Sequence, residues 1–158
     1  MSAENILAFL HLLSAFWYVA GLVAVQISLV RAWQDAGLEV RAQSLEEASH
    51  YQGVLLVPGA IAAGTSGVFL WTQMDYNLIT TGWLVLVEAF YIATLLVCLP
   101  LIGAGLRRAR LAALQARRAG EATPELEQAM TDNVPLAFSG FATILLVLMT
   151  GVSVFKPF

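Results

Sequence analysis

Apolar residues gather along this chain into four long runs, at about positions 6–30, 52–71, 83–106 and 134–155, with polar stretches between them. About 20 apolar residues in a helix cross the hydrocarbon core of a bilayer, so each run is long enough to span. Backbone polar groups surrounded by lipid must be satisfied within the segment, which makes each run a helix. The expected fold is an all-α integral membrane protein, a four-transmembrane-helix bundle forming one domain over residues 1–158.

The polar stretches refine this picture. The third helix is expected to run past the membrane through L-R-R-A-R-L-A-A-L-Q-A-R-R and to stop near Gly120. Thr123 then reads as the cap of a short helix with Pro124 at its first position. Pro58 falls near the start of the second run, Pro135 at the start of the fourth and Pro100 inside the third. Pro100 must free a carbonyl one turn earlier and kink its helix unless neighbours satisfy it. The small residues Ala60, Gly64 and Gly67 would let the second helix approach a neighbour closely.

Composition agrees: 59% of the residues are hydrophobic and 12% charged, against roughly 25% charged in soluble domains. The net charge of −3 says less than where the charges sit. Arg31, Arg41, Arg107, Arg108, Arg110, Arg117 and Arg118 all lie in the first and third connections, and Lys156 stands alone near the C-terminus. The positive-inside rule then predicts both termini outside and two loops in the cytoplasm. Trp71 and Trp83, with Tyr76 between them, and Trp33 at the opposite face are placed as interface anchors. Arginines flanking a span read as contacts to anionic headgroups of the lipid bilayer, not as a nucleic-acid surface. Cys98 is the sole cysteine, which excludes an intramolecular disulfide. The N-terminus has no basic n-region and its apolar run is too long, so a cleavable signal peptide is not expected.

Candidate chemistry lies inside the spans. His11, Ser14 and Tyr18 fall at i, i+3 and i+7 of the first helix, on one face. Polar groups at membrane depth turn toward the bundle interior, so this face is expected to point inward. Glu88 is the acidic residue well inside a span, about six residues from its outer end, or roughly 8–9 Å deep at 1.5 Å per residue. Counting to the same depth in the other spans reaches His11, then Thr65 and Ser66, then Met149 and Thr150, with Tyr91 one turn below Glu88. Sliding the sequence so that His11 falls on Glu88 also aligns Val57-Pro58 with Val134-Pro135, which points to two pseudo-two-fold-related hairpins. Glu88 would then bond the His11 layer directly, fixing packing, or bracket a ligand with it. His50 lies near the opposite membrane face, so the two histidines cannot ligate one haem in one protomer.

Several of these residues resemble a known group. H-L-L-S-A-F-W-Y-V-A-G-L-V from His11 is similar to the first helix of the HemJ-type protoporphyrinogen oxidases. P-G-A-I-A-A-G-T-S-G has the proline and later glycine of their second helix, here Pro58 and Gly67. D-N-V-P and the terminal K-P-F resemble their last helix, and the likeness extends to the copper resistance protein D group. It implies a haem b ligated by His11, a place in the bacterial inner (cytoplasmic) membrane and, if the protein is an enzyme, a haem-dependent oxidoreductase; the helical face and the depth count add Glu88, Tyr91, Ser14 and Tyr18 as candidate cofactor-binding residues. The pattern departs at Gln26 and Ile27, where the family has an arginine, and at Asn133, where it has a glutamate; its Glu-Arg-Arg cluster before the second helix is absent. Two alternatives stand beside haem binding: a non-catalytic accessory subunit, working as a homo-oligomer or in a larger membrane complex, and copper handling by His11 with Met149 and Glu88.

The orientation generates a direct test. Single cysteines at Ser2 and Asp75 should react with an impermeant thiol reagent in intact cells, and one at Gln115 should not; labelling at Gln115 alone overturns the orientation.

Overall fold

The computed structural model describes residues 3–74, 76–77 and 80–157. Among these the chain forms five helices and no strand. α1 covers Ala3–Gln34, α2 Leu38–Gln73 and α3 Gly82–Ala119. α4 (Pro124–Thr131) is short, and α5 (Val134–Phe155) completes a bundle with four helical segments long and apolar enough to span. Of the three positions chosen for labelling, Ser2 and Asp75 lie outside the described residues, and Gln115 is exposed on α3.

The helices outrun the apolar stretches at the arginine-rich end. α1 continues through Arg31 to Gln34, and α2 begins at Leu38 after a turn in which Gly37 N–H donates to Asp35 Oδ1 at 2.7 Å. Most of the first polar connection is therefore helix. α3 ends where Gly120 takes φ +80°, a left-handed conformation that suits glycine, and donates its N–H to Ala116 O. Thr123 caps α4 by accepting from Leu126 N–H, with Pro124 at the first position, as its sequence implies.

Both intrahelical prolines are accommodated the same way. The five residues ending two before each one, Gln52–Leu56 and Thr94–Cys98, widen into a π turn. Proline lacks an N–H and its ring crowds the carbonyl four residues back; the extra residue in the turn moves that carbonyl aside. Pro58 thus lies within α2 and not near a helix start, because α2 reaches back to Leu38. Val134-Pro135 follows a full break, at Asp132 and Asn133, where Val57-Pro58 follows a π turn.

Packing is unequal along the bundle axis. The core of fully buried residues runs from mid-membrane to the arginine-rich end: Leu22, Val25 and Leu29 on α1, Leu45 on α2, Ile102 and Leu106 on α3, Leu126 on α4. Ala109, Ala112, Ala113 and Ala116 make a small-residue stripe on α3, and the polar start of α2 packs there. Arg41 reaches Glu127 at 2.9 Å, Arg117 reaches Glu39 at 2.9 Å and Arg108 reaches Asp132 at 3.6 Å, tying these helices at their polar ends. Phe9, Phe16, Phe69, Val147 and Phe155 are exposed and supply an apolar outer surface for lipid. Toward the end carrying both termini, α1 packs on α2 and α3 packs on α5, but α2 and α3 barely meet.

The α1–α2 contact is set by glycines that carry no polar signal. A Cβ on Gly21 would lie 2.5 Å from Leu56 N, and one on Gly59 would lie 2.7 Å from Tyr18 N. These neighbours are backbone atoms and cannot rotate away. Gly21→Ala and Gly59→Ala should each lower stability by about 1–3 kcal/mol through overpacking, read as a drop in thermal midpoint in detergent. Gly140→Ala is the control, since nothing lies within 4 Å of its Cβ position, and an equal drop there would refute the backbone-contact argument.

Candidate functional site

Between the α1–α2 pair and the α3–α5 pair lies a cavity of about 560 Å³, within the range of small-molecule sites. α1 contributes His11, Ala15 and Tyr18, and α2 contributes Ala63, Gly64 and Gly67. Across from them stand Glu88 and Tyr91 of α3 and Met149 and Thr150 of α5. Trp71, Tyr76, Trp83 and Lys156 surround the mouth, at the end carrying both termini.

His11 is held by α2. Its Nδ1 lies 3.1 Å from Ala63 O and 3.2 Å from Ser66 Oγ. A carbonyl only accepts, so Nδ1 carries the proton and donates it; Ser66 Oγ can accept too, because it sends its own hydrogen back to Ala62 O at 2.6 Å. In the neutral imidazole, Nε2 then keeps its lone pair, and it has no protein partner among the described residues. Gly67 leaves the room: a Cβ there would be 3.2 Å from His11 Cε1. A backbone carbonyl fixing the tautomer from behind is the usual support of a histidine that ligates a metal.

Tyr91 reaches from α3 to α2 and donates to Ala60 O at 3.0 Å. Gly64 permits this, since a Cβ on it would overlap the Tyr91 hydroxyl. Gly64 and Gly67 therefore admit side chains into the site, while the backbone approach expected of them falls to Gly21 and Gly59. Tyr18 is buried, and its hydroxyl has no partner; nor has the buried indole N–H of Trp71. Glu88 makes no hydrogen bond or ion pair among the described residues, so a direct His11–Glu88 bond is not formed.

The sequence-derived set is thus mostly united: His11, Tyr18, Glu88 and Tyr91 line one cavity. Ser14 does not. Its hydroxyl turns back to Leu10 O at 2.8 Å. At about 100° per residue, the cavity-facing stripe of α1 centres near Ala15 and Val19, and Ser14 falls roughly a third of a turn to one side. Thr65 likewise bonds Ile61 O on its own helix and is exposed. His50 is exposed beside Tyr51 and lies outside the cavity. No group of three or more His, Cys, Asp and Glu side chains is placed to hold a metal ion among the described residues. Lys156 was legible only as the one cation at its end, and Trp71 and Trp83 only as interface anchors.

Four apolar helical segments around a mainly apolar cavity with a few polar side chains define a small polytopic membrane protein. Residues 5–157 match a family model described as predicted integral membrane protein, DUF2269, and the chain belongs to that family. Comparison with curated proteins and with solved structures gives no match.

The Tyr91 contact generates a test. Gly64→Ala should destabilise the bundle by about 1–3 kcal/mol, and adding Tyr91→Phe should recover part of the loss, because the hydroxyl is the nearest of the clashing atoms while Cζ and Cε1 remain. A double-mutant cycle in thermal unfolding measures this coupling; strictly additive effects would show that the two residues do not meet.

Proposed function

We propose that this protein binds haem b or a related porphyrin in the cavity between its helix pairs, with His11 Nε2 as the iron ligand, in a redox-linked role. One observation carries the reading: His11 is tautomer-fixed by Ala63 and Ser66 while Nε2 stays free in a cavity of about 560 Å³. The donor set fits further. The buried Tyr18 hydroxyl and Trp71 N–H lack the partners that buried polar groups normally have. The resemblance to the HemJ-type oxidases enters here, because two of its marker residues, His11 and Gly67, line the same cavity.

A bound haem would supply one-electron chemistry at its iron. The chain's own contribution is to present Nε2, to close the floor with Tyr18 and Tyr91, and to hold Glu88 and Thr150 on the facing wall. Met149 is the soft donor on that wall and would be a second side chain able to hold the iron. The absent Glu-Arg-Arg cluster and the asparagine at Asn133 separate this chain from the oxidase pattern, so the proposal is for haem binding and electron handling, not for porphyrinogen oxidation.

Protein purified in mild detergent and titrated with haemin should develop a ligated Soret band. His11→Ala should abolish that band, and His50→Ala should leave it nearly intact. A haem spectrum that depends on His50 and not on His11, or a wild-type protein that never ligates haemin, overturns the reading.

A further inference from the structure

Lys156 is the least expected member of the cavity. Every other basic residue in the sequence lies in the first or third polar connection, toward the opposite end of the bundle. α5 terminates at this lysine, whose N–H donates to Val152 O at 3.0 Å while its φ is +45°. Non-glycine residues rarely adopt that left-handed conformation. From this turn Nζ donates to Tyr76 Oη at 3.3 Å and sits 5.4 Å and 5.1 Å from the ring centroids of Tyr76 and Trp83. A lysine that merely anchors a helix end extends its ammonium into water; this one folds across two aromatic faces at the rim of a cavity.

No carboxylate pairs with Lys156 among the described residues. An ammonium has three N–H donors, and Tyr76 takes one. Two remain at the mouth. Deeper in the same cavity the charged-type side chain is Glu88, itself without a cation. An acidic group pushed against the Glu88 wall would meet another carboxyl; at the mouth it would meet free donors on a cation. The cavity is therefore polarised along its axis, and that polarity selects both the kind of ligand and its direction.

We infer that Lys156 anchors a carboxylate of the cavity's ligand, which is an amphipathic acid with its apolar body among the helices and its acid at the mouth. This rests on the porphyrin reading above, and the acid is then a propionate. His11 and Lys156 hold opposite functions on one molecule, iron at the wall and carboxylate at the rim.

The test uses metal-free protoporphyrin IX and its dimethyl ester, followed by fluorescence on the full chain in nonionic detergent, so that iron ligation plays no part. Wild-type protein should bind the free acid on the order of tenfold tighter than the ester, the worth of a hydrogen bond to a charged group. Lys156→Gln should equalise the two and Lys156→Arg should keep the preference. His11→Ala should also keep it, while losing the ligated haemin spectrum. Equal binding of acid and ester by the wild type, or a preference that survives Lys156→Gln, overturns the inference even if His11 ligates haemin. Failure of His11 to ligate haemin, with the acid preference intact, removes the iron ligand and leaves Lys156 as the carboxylate anchor. A wild type that binds neither porphyrin overturns both.

Discussion

The close approach of α1 and α2 at Gly21 and Gly59 is the contact on which the rest of the structure depends. In lipid there is no hydrophobic drive between apolar helices, so association relies on backbone proximity and van der Waals packing. Each glycine faces backbone of the other helix, Gly21 against Leu56 and Gly59 against Tyr18. Seven residues farther along each helix, two turns toward the termini, the same antiparallel register brings His11 to Ser66. The imidazole reaches Ala63 O because the two axes are already close, and Gly67 keeps the last turn clear for the ring. The site is thus an extension of a packing seam and not a separate feature added to it.

The two halves of the bundle do different jobs. At the arginine-rich end, buried leucines and an alanine stripe fill the space, and ion pairs between exposed or half-exposed partners join the helix ends. Such pairs contribute little each in water; the packed core beneath them carries that end. Toward the termini the two helix pairs diverge, and the space between them holds polar groups that no protein atom satisfies. Leaving a buried hydroxyl or indole N–H unpaired costs free energy, and water or a ligand normally removes that cost. Trp33 Nε1, Ser44 Oγ and Arg110 Nε are buried without a partner at the dense end too, so such groups are not confined to the cavity.

Much of this was legible in the sequence, for physical reasons that differ by residue. His11 and Glu88 could be placed in one layer because rise per residue converts position in a span into depth. Facing is harder, because it depends on which neighbour a helix meets. Ser14 shares a coarse helical face with His11 and Tyr18, yet satisfies its hydroxyl on its own backbone at Leu10, beside the stripe that opens onto the cavity. The glycines show the same limit. Gly64 and Gly67 meet side chains while Gly21 and Gly59 meet backbone, although Gly59, Ala63 and Gly67 share one four-residue small-residue spacing. The π turns before Pro58 and Pro100 follow from proline chemistry once both lie within helices, but only the length of α2 places Pro58 there.

Gln26 shows why the polarity of the cavity has one solution. Its amide donates to Ser139 O at 2.8 Å and to Thr143 Oγ1 at 2.7 Å, joining α1 to α5 toward the arginine-rich end. Hydrogen bonds between membrane helices are individually modest, and this pair acts mainly to hold α1 and α5 together on the arginine-rich side of the cavity floor. A neutral amide spent on two acceptors leaves no cation beneath that floor. With Tyr18 and Tyr91 closing the cavity above it, and with the arginines at the far end, the cation available to a ligand is Lys156 at the rim.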